Sequence, residues 1–130
     1  MAGPAVEQVW QDFKDRGVQV LALDFWNGVP SSVEDYIRSA GATYPVLMDA
    51  GVVTGSYGIA YDNYVVVDAE GIVRYTSVHE TFTGLGRWND AAVRSVVEQW
   101  LPTAVEQRTW SAMKALFQAA DTAAPPVRVP

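Results

Sequence analysis

Three aspartates stand where an α/β chain can carry metal or acid–base chemistry. Asp24 closes the apolar run VQVLALD, Asp68 closes VVVD, and Asp62 lies shortly before that second run in AYDNY. Strand ends of this kind border the crevice in which open α/β sheets hold their ligands, and hard cations such as Mg2+ take carboxylate oxygens. Converging there, with Asp49 as a further ligand, these side chains suit a carboxylate-based, metal-assisted hydrolase. A plainer reading weighs more. DAEG at Asp68–Gly71 is ordinary hairpin-turn chemistry, and Asp24 can end a strand or cap a turn.

His79 is the single histidine, with Glu80 beside it. A general base held by a carboxylate is the chemical option, but neighbours on an extended segment point to opposite faces, and no serine or cysteine nearby stands in a nucleophile motif. A solvated loop histidine is the better account. One histidine cannot make a His-rich zinc site within one chain. In DFWNG, Phe25 and Trp26 follow the first apolar run directly, and Trp88 precedes a late helical pattern; together they suggest an aromatic cleft, although packing is the commoner use of such rings. DRG and TGLG are too short for a phosphate loop and read as caps and turns. The candidate cleft is therefore Asp24, Trp26, Asp62, Asn63 and Asp68, with no catalytic residue, resident metal or cofactor assigned.

The elements that would position these residues follow from hydrophobic spacing. Pro4 sits in a first helical turn, and Val6, Val9, Trp10 and Phe13 recur every three or four residues until Gly17. VQVLALDFW predicts a central parallel strand covered on both faces. In PSSVEDYIRSAG, Ser31 and Glu34 form a capping box ahead of the stripe Val33, Tyr36, Ile37, Ala40. YPVLMD is a short strand, and Gly51 to Gly58 is a connection with room for one helical turn. YVVVD and IVRYTS make a hairpin whose second strand alternates through Arg74 and Thr76, as at a half-exposed edge. After an Asn89 or Asp90 cap, Val93, Val96, Val97, Trp100 and Leu101 share a face that Pro102 ends. Thr103 and Glu106 offer a further box for a last helix carrying Trp110, Met113 and Phe117.

Length and composition bound the rest. At 130 residues, 49% hydrophobic and 18% charged, the chain suits one globular core, with 1–120 as a domain and 121–130 as a Pro-rich tail. A formal charge of −6 gives no footprint for nucleic acid or an anionic membrane. No apolar run approaches the roughly 20 residues of a spanning helix. MAGPAVEQVWQDF lacks the basic start of a signal peptide, so a chain beginning there is expected in the cytoplasm. There is no cysteine, which excludes disulfides and thiolate nucleophiles from these residues.

In order and spacing these elements resemble the thioredoxin-like fold, and specifically its redoxin branch of thiol–disulfide oxidoreductases and the alkyl hydroperoxide reductase type. The pieces that carry the resemblance are PAVEQVW at Pro4–Trp10, GVQVLALD at Gly17–Asp24, YPVLMD at Tyr44–Asp49, YGI at Tyr57–Ile59 and VVVDAEGIV at Val65–Val73. In that family a Cys-x-x-Cys motif opens the first of these helices and a cis-proline precedes the VVVD strand. If Pro4 is the proline that follows the motif, both cysteines fall before Met1, and Asp62 and Asn63 stand where the cis-proline is expected, joined by ordinary trans bonds.

The resemblance thus implies the scaffold without its chemistry, since a thiolate must serve as both nucleophile and leaving group in exchange. It implies an α/β, thioredoxin-like fold that lacks the N-terminal strand and redox motif and adds a C-terminal helix. That lost strand runs between the counterparts of VQVLALD and YVVVD. Its loss is expected to be met by closure of the gap, by the tail, which its prolines make a poor strand, or by a second copy. The expected function is a non-catalytic module, structural or partner-binding, most simply a homodimer with a protein partner as a further option; the carboxylate hydrolase is the alternative.

Overall fold

A computed structural model describes residues 1–59, 62–102 and 111–117, and there the chain is mixed α/β. Helix α1 is Gly3–Phe13, with Pro4 in its first turn, where the missing N–H has no helical partner to lose. It runs on through a 3-10 turn, Lys14–Arg16, to Gly17, whose φ of 81° is left-handed backbone that favours glycine. Then follow β1 (Ala22–Leu23), α2 (Pro30–Ala40), β2 (Val46–Leu47), α3 (Gly51–Ser56), β3 (Val65–Val67), β4 (Val73–Thr76), a 3-10 turn Ser77–His79, and α4 (Asp90–Gln99). Residues 111–117 are helical and are called α5.

The core is the seam between α1 and α4. Ala2, Val9 and Phe13 meet Trp88, Val93 and Val97, and Tyr64, Val66 and Tyr75 of the β3–β4 region pack beneath them. The predicted stripes of both helices thus face each other. Two ion pairs span the rim of this seam, Arg16–Glu98 at 2.9 Å and Arg94–Asp12 at 2.8 Å. Being exposed, each contributes little beyond register. Helix α2 crosses the start of α1 so closely that a Cβ on Gly3 would lie 2.5 Å from that of Ala40. The Glu7 carboxylate accepts from the backbone N–H and the hydroxyl of Thr43, fixing the exit of α2.

The strands form two separate ladders. β1 and β2 are parallel, with Ala22 opposite Val46 and Leu23 opposite Leu47; β3 and β4 are antiparallel, with a bulge between Val66 and Val67. Among the described residues no ladder joins one pair to the other.

Several expectations are corrected here. The long central strand shrinks to two residues, because only Ala22–Leu23 finds a neighbour, and Leu21 and Leu23 are exposed rather than covered on both faces. Among the described residues no strand pairs with its other edge. Ser31 does not cap α2: the N-cap is Val29, with Pro30 in the first turn and no side-chain cap. Proline sets the helical φ one residue earlier than the capping box would. In β4, Val73 faces out while Arg74 is half-buried, since the bulge shifts the alternation and Asp68 holds the guanidinium.

Other expectations hold. Asn89 caps α4 by accepting from the Ala92 N–H at 3.1 Å, the connection after Asp49 contains the helix α3, and α5 carries Met113 and Phe117. The described residues contain no cis peptide bond. The Thr103–Glu106 box, Trp110 and the 121–130 tail lie outside the described residues. Among the described residues no helix is long and apolar enough to cross a membrane.

Candidate functional site

Between the two ladders lies a slot. One wall is the extended segment from Gly17 to Leu21 that leads into β1, and the other is Asn63 to Ala69, which contains β3. The floor is the α1–α4 seam, presenting Val6, Val9, Val93 and Val97, with Trp100 at one end. The cavity holds about 390 Å3.

The backbone of both walls is directed by the ladders on their far sides. The N–H groups of Ala22 and Asp24 donate to Pro45 and Leu47, so Leu21 and Leu23 turn theirs away from β2. On the other wall, Ser77 N–H donates to the Tyr64 carbonyl and Asp68 N–H to that of Ile72, which leaves the main-chain groups of Val65 and Val67 directed away from β4. On the two ladders Leu23, Leu47, Val65, Val67 and Val73 present their side chains to solvent. A sheet face this apolar is normally covered.

The residues singled out from the sequence do not converge. Asp24 accepts from the Gly28 N–H at 2.8 Å and closes a turn. Trp26 is 72% exposed and leans on Phe25, ring centroids 4.7 Å apart. Asp68 Oδ1 accepts from the Glu70 and Ile72 N–H groups, and Oδ2 takes Arg74 Nε at 2.7 Å. Asp62 accepts from the Tyr64 hydroxyl at 2.9 Å and the Arg87 N–H at 2.8 Å. Asn63 Oδ1 accepts from the hydroxyls of Thr76 and Ser77. Asn63 and Asp68 border the slot. Asp62 lies instead in a second cavity of about 400 Å3 against Ala2, Gly3, Tyr36 and the Phe82–Gly86 loop. Asp24 and Trp26 border neither.

No group of three or more His, Asp or Glu among the described residues is placed to hold a metal ion. His79 is exposed, and Glu80 turns from it to accept from Tyr75 and Asn89. Trp88 is a core residue, its ring edge-on to Tyr64 at 5.0 Å, not one wall of an aromatic cleft.

Two residues matter here that sequence patterns did not mark. Ser77 is fully buried; its hydroxyl accepts from the Tyr64 N–H at 2.8 Å and donates to Asn63, so it fixes the wall strand where β3 begins. No spacing rule could have found it, because its partners lie on the opposite strand. Arg74 lays its guanidinium over the Trp100 ring at 3.6 Å and links the hairpin to the end of α4. Burial raises the Tyr64 phenol well above its usual value, and the bond to Asp62 adds to this; Tyr75 is pushed up to about 12 by burial and by Glu80. Both remain hydroxyl donors at neutral pH.

Asp68 supplies a prediction. The Ile72 N–H above all, then Arg74 and the Glu70 N–H, hold its carboxyl below the ordinary range. A lowered folded value means stability present above the unfolded value of about 3.9 and lost as pH falls through the folded one. The difference in urea midpoint between wild type and Asp68→Asn should therefore be open at neutral pH and close in acid. An equal difference at both ends would show that Asp68 acts by shape and not by charge.

A comparison with protein-family models and with curated proteins found no match to this chain.

Proposed function

We propose that this chain is a non-catalytic module of thioredoxin-like type that works by binding protein, and that it associates with a second copy of itself. The observation that carries the reading is the slot between two ladders that, among the described residues, no strand joins, together with five apolar side chains in solvent. At roughly 1.5–3 kcal/mol for each Leu or Val side chain fully buried, covering these side chains offers several kcal/mol. The run of elements, with α1 and α4 sharing one core beside the hairpin, accords with the thioredoxin-like reading. The dispersal of the aspartates into separate turns favours binding over a carboxylate hydrolase.

Two tests follow. Insulin reduction with dithiothreitol should proceed no faster with the protein than in buffer alone, because these 130 residues contain no thiol to form a mixed disulfide. Catalysed turnover in metal-free buffer would defeat the non-catalytic reading. Light scattering at micromolar concentration should give twice the 14.2 kDa chain mass. The contact is placed at the neighbourhood of β1, where Leu21 and Leu23 are exposed, or at α5, where Met113, Leu116 and Phe117 are exposed. A monodisperse monomer would remove the self-association.

A further inference from the structure

We infer that the slot is a receptor for an extended segment of another polypeptide, which enters as a strand between the Val18–Leu21 wall and β3. The inference rests on the partner-binding reading above and names the partner's chemistry.

The walls decide the class of ligand. Leu21 on one side and Val65 and Val67 on the other direct main-chain groups away from their own ladders, so the slot is flanked by one N–H and C=O pair on the first wall and by a row of two such pairs on the second. A small apolar molecule fits a volume of about 390 Å3 but leaves those groups unpaired. A peptide strand carries alternating donors and acceptors on both of its edges and satisfies both walls at once. Once seated, it makes the two ladders one continuous sheet.

The floor decides the side chains. Successive residues of a strand point to opposite faces, so every second residue meets Val6, Val9, Val93 and Val97 and must be apolar. The intervening residues join Leu23, Val65 and Val67 on the open face.

Charge narrows the partner further. Asp68 is the one ionised side chain among the described residues lining the slot, and Arg74 already pairs with it. The slot is locally neutral within a chain of net charge −6, so an acidic segment is disfavoured and a basic one favoured.

The experiment uses the full chain and a fluorescein-labelled seven-residue peptide alternating valine and threonine between terminal lysines, read by fluorescence anisotropy. Two further peptides carry N-methyl groups on the odd or on the even residues, so that each loses the donors of one edge. The parent peptide should bind, and each methylated series should bind about tenfold or more weakly. Glutamate in place of the terminal lysines should weaken binding, and by less as salt is raised. On the unmodified protein, hydrogen exchange at the Leu21, Val65 and Val67 amides should slow on adding the parent peptide. This second readout needs no variant that might misfold.

Equal affinity of all three peptides would mean adhesion to the apolar face and overturn the proposal. Weakening by one methylated series alone would place the peptide on a single outer edge and also overturn it. A scattered mass that halves as peptide binds would give the slot to the second copy, against a foreign segment. Absence of binding sinks the strand receptor but leaves self-association, tested separately by light scattering, where it stands.

Discussion

Phe13→Ala should lower the stability of the chain by about 3–5 kcal/mol, out of the roughly 5–15 kcal/mol expected of a domain of this size. Phe13 is 3% exposed at the end of α1, inside the seam with α4, and the guanidinium carbons of Arg16 and Arg94 lie 5.1 and 5.9 Å from its ring centre. Truncation opens a cavity in the seam that joins α1 to α4, and neither helix can move in to fill it without leaving the hairpin. Urea denaturation followed by tryptophan fluorescence should show a midpoint lower by about 1 M or more, given slopes of about 1–3 kcal/mol per M. A loss below about 1 kcal/mol would mean that the seam is not the core.

Gly86→Ala should be nearly as costly, for a different reason. Gly86 has φ 67°, and the place its Cβ would take is occupied by the Asp62 carboxylate. Left-handed backbone costs a side chain roughly 1–2 kcal/mol. Displacing Asp62 also breaks its bonds from the Tyr64 hydroxyl and the Arg87 N–H, and a broken bond that strands a buried partner costs about 1–3 kcal/mol. Gly84→Ala in the same loop is the control, since nothing lies within 4 Å of its added Cβ. It should change stability by no more than about 0.5 kcal/mol. If the two substitutions behaved alike, Asp62 would not be the clamp that holds the Phe82–Gly86 loop.

The contrast between these two residues shows what could be read from the sequence. Phe13 declared itself by spacing: a residue on the stripe with Val6 and Val9 has to be buried, whatever covers it. Asn89 and the Asp68 turn were legible for the same reason, because their chemistry is satisfied within a few residues. Asp62 was not. It looked like a candidate ligand, while its partner Arg87 sits 25 residues away across a loop that no local rule positions. The run VQVLALD was misjudged in another way. Its composition asks for cover on both faces, but composition carries no information about whether a neighbour strand is present, and in the structure only two of its residues pair. Among the described residues those two pair with β2 alone.

The seam between α1 and α4 also constrains the order of events as the chain is made. Arg16 and Glu98, like Asp12 and Arg94, are separated by 82 residues. At about 5–20 residues per second of synthesis, α1 emerges several seconds before the helix that covers it exists. Throughout that interval Val9 and Phe13 have no partner from α4. The β3–β4 hairpin, whose strands are neighbours in sequence, has no such wait, and hairpins of this kind form within about 1–10 μs. During synthesis the stripe of α1 therefore stays uncovered by α4 for seconds, long after a local hairpin can have formed.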